Sequence, residues 1–358
     1  MGSLKVGIIS FTDRGSRLCA RLCGLLGQKG YQCRGYVPAR YFAEDMARRG
    51  VTALEGKGAA AWAGDMFEEK RSMVFVGAAG IAVRAVAPWL KDKFMDPAVV
   101  VVDEAGQFAV PILSGHVGGA NELAGEIADL LKAAAVLTTA TDVNGVFSVD
   151  VFAAKNGLRI MNRQAARAVA MDLLEGRPVG FISDFPAKKA GKDWLPPGME
   201  AGERDRNVRI TLRRGDWPPG DLVLVPKTVV LGIGCKKGIP SETVRRRAEL
   251  ALQEAGLYEE AVAALATIDL KKAEPGLREL AGEKGWSFRA YSAQELGRIS
   301  GAFSGSAFVH KTVGVDNVCE RAAVAGSGGG RLVLRKQAGE GVTVAAAAGR
   351  TELEAAGE

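Results

Sequence analysis

Aromatic residues make up only 6% of this 358-residue chain. That scarcity leaves few stacking platforms for single-stranded nucleic acid. Cysteine is also sparse. Cys19, Cys23, Cys33, Cys235 and Cys319 are odd in number and form no CxxC pair, which argues against a disulfide framework and for a reducing compartment. No apolar stretch approaches the ~20 residues of a membrane helix. The chain opens directly on a strand-like LKVGIIS, without the charged-then-apolar run of a signal peptide. The expected location is therefore the cytoplasm. Two fingerprints are missing as well. GAAGIA is not GxGxxG, and GIGCKKG lacks the GK[ST] ending of a phosphate loop, so dinucleotide binding and nucleotide hydrolysis are disfavoured.

What is present is the balance of a folded protein: 47% hydrophobic, 25% charged, and 46 glycines. The length suggests two or three domains with sizeable cores. A formal charge of +6 suits an anionic partner, without choosing between nucleic acid and a polycarboxylate. Most of these charges are accounted for by solvated helix faces.

Strand and helix patterns alternate along the chain. Residues 4–10 read as a strand, followed by Leu18, Leu22, Leu25 and Leu26 at helical spacing. MVFV at 73–76 is a second strand, turned by Gly77 and Gly80 into a helix. AVVVVDEAGQFAVPIL reads as a hairpin about Asp103–Gln107. Leu123, Ile127, Leu130 and Leu131 mark another helix, and Ala135–Thr138 another strand. The predicted class is α/β: two α/β domains with largely parallel sheets joined by a small variable middle domain. The expected boundaries are residues 1–145, 146–226 and 227–358. In the last of these, VVLGIG, ALATIDL and WSFRAY read as strands, Ser292 and Glu295 as a capping box, and the end as a hairpin about Gly339–Gly341.

Polar residues that could carry chemistry gather in loops after strands. LSGHVGGANELAG is the densest cluster. His116 and Glu122 are its acid–base candidates, with Ser114, Gly118, Gly119 and Asn121 around them. Backbone amides at a helix start favour anions and a neutral imidazole. A dipole-complementing Glu122 and a capping Ser114 are equally good readings. Arg84, Lys91 and Lys93 could meet carboxylates or be solvated. Thr138, Thr139, Thr141, Asp142 and Asn144 follow a strand end, where Asx-type turn bonding is the simpler reading for Asp142 and Asn144. In the last domain Gly234, Cys235 and Lys236 suggest an anion nest, with Cys235 a packed thiol. Lys271 and Glu274 read as an ion pair or a substrate clasp. Cys319 is expected in the core and Glu320 on the surface.

Three segments together resemble the CbiG family of anaerobic cobalamin biosynthesis. They are GIAVRAVAPWLKDKFMDPAVVVVDEAGQFAVPILSGHVGGANELA, TTATDVNG, and LGIGCKKGI with the later TIDLKKAEPGL. The resemblance implies an amino-terminal α/β domain, a variable middle and a CobE-like carboxyl domain. It also implies a reaction: hydrolysis of the δ-lactone of cobalt-precorrin-5A, an acidic tetrapyrrole, with release of acetaldehyde. Cobalt would arrive with the substrate, so no cofactor or protein metal site is expected. Neither nucleic acid nor membrane is an expected partner, although neighbouring pathway enzymes are plausible transient contacts. A non-catalytic corrinoid carrier is the competing class. Near the end, FSGSAFVHKTVGVDNVCERAA departs from the family's Ser-Glu-Ser segment, which weakens any substrate role for Ser304 or Ser306.

Overall fold

The computed structural model describes residues 4–92, 95–116, 118–139, 144–188, 194–305, 311 and 314–354. They fall into two compact units, Met1–Val151 and Phe152–Glu358.

The first unit contains β1 (Lys5–Ser10), α1 (Asp13–Gln28), β2 (Gln32–Pro38), α2 (Glu44–Ala47), β3 (Val51–Leu54), α3 (Ala59–Glu68), β4 (Ser72–Val76), α4 (Ala79–Val86), β5 (Val99–Val102), β6 (Phe108–Leu113), α5 (Ala120–Leu131) and β7 (Ala134–Ala135). One sheet runs in the order β3-β2-β1-β4-β5-β6-β7. Every neighbouring pair is parallel except β5 and β6. Successive strand side chains point to opposite faces. Val6 and Ile8 of β1 accordingly join Leu22, Leu26 and Ile127 on one side. Ile9 joins Trp62, Phe75 and Val101 on the other. Helices cover both faces, so β5 (VVVV) is buried at all four positions, as expected of a strand inside a doubly wound sheet. Burying each such Leu, Ile or Val side chain stabilises the fold by about 1.5–3 kcal/mol. Thr12 starts α1 by accepting the Gly15 N–H at 3.1 Å, a side-chain cap of about 1 kcal/mol.

Helix α6 (Val149–Lys155) spans the junction in sequence. The second unit continues with β8 (Leu158–Ile160), α7 (Arg163–Leu174), β9 (Val179–Ser183), β10 (Met199–Ala201), β11 (Asn207–Ile210) and β12 (Leu222–Pro226). These strands form a sheet in the order β10-β9-β11-β12-β8. Then follow β13 (Val229–Cys235), α8 (Ser241–Glu254), β14 (Val262–Ile268), α9 (Pro275–Glu283), β15 (Ser287–Tyr291), α10 (Ala293–Gly297), α11 (Cys319–Gly326), β16 (Arg331–Gly339) and β17 (Val342–Ala348). Their sheet runs β15-β14-β13-β17-β16, parallel through β13–β15 and antiparallel at β17 and β16. Helix α11 lies so close to β13 that a Cβ on Gly232 would sit 1.8 Å from the Cys319 carbonyl oxygen; only glycine fits there.

The expected α/β class holds, as do the hairpin at β5–β6, the closing hairpin at β16–β17, and the Ser292–Glu295 capping box. One strand is shorter than expected: β7 ends at Ala135. Glu320 overturns its surface reading, because its residue is wholly buried. Its carboxylate accepts N–H bonds from Ser304 (2.7 Å), Lys336 (3.0 Å) and the Asn317 side chain (2.7 Å). Three donors make the burial of that polar group tolerable.

Candidate functional site

The turn after β6 is built under tight steric limits. Ser114 adopts φ +52°, a left-handed conformation that costs a non-glycine residue about 1–3 kcal/mol. A Cβ on Gly118 would fall 2.4 Å from Ser114 Cβ and 2.9 Å from its carbonyl oxygen. Gly119 caps α5 at φ +79°. The Ala120 and Asn121 N–H groups donate to the Ser114 and Gly115 carbonyls at 3.1 and 3.0 Å, and the Gly119 N–H donates to the His116 carbonyl at 3.0 Å. Several amides at the start of this helix are therefore occupied within the turn itself. The Ser114 hydroxyl, by contrast, is buried with no hydrogen-bond partner among the described residues.

Three further segments meet this turn. Ser148, at the start of α6, brings its hydroxyl within 3.4 Å of His116 Nδ1. The Asn121 amide donates to Thr139 Oγ1 at 3.2 Å. The Ala98 backbone nitrogen lies 3.2 Å from where a Gly118 Cβ would be. That approach brings in the loop of Lys91, whose N–H donates to Asp96 Oδ1 at 3.1 Å. The ammonium-bearing residue itself is exposed. Glu122 is exposed in the first turn of α5, its Oε2 4.0 Å from where a Cβ on Gly119 would stand.

The position of this cluster on the sheet follows from strand direction. Ligands of open α/β sheets gather at the carboxyl ends of the parallel strands, and the turn does follow the carboxyl end of β6. But β6 is antiparallel to β5, with Leu113 opposite Val99, so its end lies at the amino-terminal edge of β4 and β5. Strand β7 is parallel to β6 and delivers Thr139 to the same edge. Gly77 and Gly80, at the carboxyl end of β4, belong to the opposite edge. Arg84 is exposed in the last turn of α4, its guanidinium donating to the Gly80 carbonyl at 3.3 Å. Asn144 is an exposed turn residue. Lys93, Thr141 and Asp142 lie outside the described residues.

In the second unit, the loop after β13 meets the segment after β14, at the carboxyl ends of two parallel strands. Gly238 donates its N–H to Glu274 Oε1 at 2.6 Å, and Lys271 Nζ sits 3.0 Å from Glu274 Oε2. Burial pushes the Glu274 carboxyl up, but Lys271 and the Gly238 and Ile239 amides more than offset that, leaving it below the usual carboxylate range. Lys271 and Glu274 thus form an ion pair that staples the GIGCKKG loop. Lys236 is exposed on that loop, and its N–H donates to the Gly341 carbonyl at 2.9 Å. Burial holds the neighbouring Cys235 thiol at about 11, with Lys271 opposing and Glu274 reinforcing the effect. It stays protonated near neutral pH, as a packed thiol does.

Known families match the chain in three successive stretches: "Cobalamin synthesis G N-terminal" over residues 61–142, "Cobalamin biosynthesis central region" over 147–226, and "Cobalamin synthesis G C-terminus" over 229–347. A Salmonella typhimurium protein named cobalt-precorrin-5A hydrolase is 35% identical over 352 residues, covering 95% of this chain and 96% of that protein. The chain belongs to the CbiG family. A second protein of that name, from Priestia megaterium, is 32% identical over 302 residues, 79% of each chain. Among solved structures, a cobalamin biosynthesis protein G homologue from Sulfolobus solfataricus is similar, at 22% identity and a TM-score of 0.40, covering 96% of this chain and 97% of that one. CbiG membership gives the protein a role in cobalamin biosynthesis.

Two residues near this turn of the CbiG protein carried no sequence signal strong enough to single them out. Ser148 reads as an ordinary helix-start serine, and its hydroxyl does lie 3.5 Å from the Val151 N–H. Asp96 reads as a loop acid. Only the proximity of Ser148 to His116, and of Ala98 to Gly118, reveals their place. Asp103 has no such proximity: it accepts three N–H bonds within its own hairpin, from Ala105, Gln107 and Phe108, and so is a turn former.

Proposed function

We propose that this CbiG protein hydrolyses the δ-lactone of cobalt-precorrin-5A and releases acetaldehyde, with the turn Ser114–Gly119 at the reacting centre. The observation that carries this reading is Ser114, strained at positive φ, with a buried hydroxyl lacking a partner among the described residues, two positions from His116. Strain and an unsatisfied donor at one residue are the marks of a site prepared for a ligand. The names of the relatives from Salmonella and Priestia supply the substrate.

His116 or Glu122 takes a proton from water as its oxygen attacks the lactone carbonyl. The acyl C–O bond breaks and the water oxygen remains in the new carboxylate. The freed alkoxide then collapses to acetaldehyde as its carbon–carbon bond breaks. The electron pair passes to the macrocycle carbon, which takes up a proton. Ser114 Oγ donates to the developing oxyanion. Ser148, beside His116 Nδ1, orients the imidazole. Arg84, Lys91 and Lys93 contribute attraction for the carboxylates. Cobalt enters as part of the substrate.

Anaerobic incubation with cobalt-precorrin-5A, assaying acetaldehyde and the mass of the macrocycle, tests the reading. Stoichiometric acetaldehyde supports it. Macrocycle bound and returned with unchanged mass would make the protein a carrier instead.

A further inference from the structure

The second unit carries an opening that the proposed hydrolysis does not use. A cleft of about 940 Å³ lies between the β11 end, the turn before β16 and the segment after β17. That size is in the range of small-molecule sites. Its walls are apolar at Phe185, Leu212 and Val333, and three arginines reach it from three separate segments: Arg213, Arg331 and Arg350.

The cleft is held in shape by its own bonds. Arg213 is anchored by its N–H to Thr211 Oγ1 at 3.0 Å and by its guanidinium to the Ala255 carbonyl at 3.3 Å. The backbone of Gly330 runs so close to β17 that a Cβ there would meet the Ala348 carbonyl oxygen at 2.1 Å, which fixes where Arg331 begins. The segment after β17 is strapped down beyond Arg350. The buried Leu353 donates to the Pro186 carbonyl at 2.9 Å and accepts from Lys188 at 2.8 Å. Glu354 exchanges backbone bonds of 2.7 and 3.1 Å with the Asn156 side chain. Two acids also line the cleft. Asp184 is engaged by Thr211 Oγ1 at 2.6 Å, and Glu352 is exposed on the strap.

We propose that this cleft is a binding site for a flat, carboxylate-rich macrocycle, its apolar body against Phe185, Leu212 and Val333 and its carboxylates on Arg213, Arg331 and Arg350. Arginine forks match carboxylates in two-point fashion, and apolar walls with a few placed polar groups are the usual build of such a site. The proposal rests on the cobalamin reading only for the class of ligand.

The test uses the full chain and uroporphyrin, a metal-free octacarboxylate porphyrin, in a fluorescence titration. The expected result is saturable binding by the unaltered protein. Arg331→Gln with Arg350→Gln should weaken it about tenfold or more, because two charge-assisted forks are removed together. Arg17→Gln with Lys29→Gln removes the same charge from exposed positions of the first unit and is expected to leave the affinity within about twofold. Coproporphyrin, with fewer carboxylates, is expected to bind more weakly. No binding by the unaltered protein would overturn the proposal. So would an equal loss in both double variants, or no loss in the arginine pair when circular dichroism shows it folded. Failure of the cleft leaves acetaldehyde release intact, whereas failure of the hydrolase reading leaves porphyrin binding intact with no acetaldehyde formed.

Discussion

Gly118→Ala tests whether the turn after β6 is the reacting centre. The new methyl would stand 2.4 Å from Ser114 Cβ, 2.9 Å from the Ser114 carbonyl oxygen and 3.2 Å from the Ala98 nitrogen. Non-bonded carbons settle at about 3.5–4.0 Å, so the turn must open by roughly 1 Å. Overpacking of that kind costs about 1–3 kcal/mol. For a unit of this size the melting temperature should then fall by about 2–12 °C. The same 1 Å displaces Ser114 and His116 from one another, and a misplacement of that size costs about 10²-fold in rate. The assay is single-turnover acetaldehyde release from cobalt-precorrin-5A, with macrocycle binding and thermal melting measured alongside. Gly125→Ala is the control, because a Cβ there meets nothing within 4 Å; in the middle of α5 it should stabilise by about 0.5–1 kcal/mol and leave turnover unchanged. Normal turnover by Gly118→Ala with a lowered melting temperature would refute the placement of chemistry at this turn. An unchanged melting temperature would refute the packing argument itself.

His116→Asn should lower acetaldehyde release by about 10²–10⁴ with near-normal macrocycle binding, since a base acts in the transition state; if Glu122→Gln alone shows that loss, the carboxylate is the base. Glu274 has its pKa depressed in the folded chain, so the stability it contributes is present above its unfolded value of about 4.3 and is lost as pH falls through the lower folded value. In Glu274→Gln that acid-limb loss of melting temperature should be smaller, and an unchanged limb would show that the loop staple adds no stability. Glu320→Ala removes the acceptor of the Ser304, Lys336 and Asn317 N–H groups; the buried Asn317 amide is then orphaned at about 1–3 kcal/mol, and the shape-preserving Glu320→Gln should recover part of the loss in urea melts. Cys235, held at about 11, should react with iodoacetamide in the folded state only slowly at pH 7 and markedly faster near pH 11; fast labelling at neutral pH would contradict its burial.

Local pattern sufficed for the strands and helices that are regular and well buried. The runs at β1, β4, β5 and β13 are apolar because both sheet faces are covered, and that burial is written in the residues themselves. Strands β2 and β3 escaped notice for the converse reason. QCRGYVP offers a single aliphatic side chain, Val37, at its buried positions, and VTAL is four residues long, so neither carries a strong period. The glycines of SGHVGG announced a tight turn, and the lone histidine within it announced a candidate base. The sequence by itself thus determined the strongly apolar elements, the tight turns between them, and the family to which the chain belongs. Tertiary structure alone decided the rest. The antiparallel pairing of β6 moved the turn to the amino-terminal edge of the sheet, beside Ala98, Thr139 and Ser148. Packing of α11 against β13 buried Glu320, where its place on a helix after a polar loop suggested solvent. Arg213, Arg331 and Arg350 are far apart along the chain and share a cleft only because β16, β17 and the strap after them fold back toward β11. Periodicity reports the face a residue takes on its own element; which faces and ends then meet is set by strand order and direction, which no local pattern encodes.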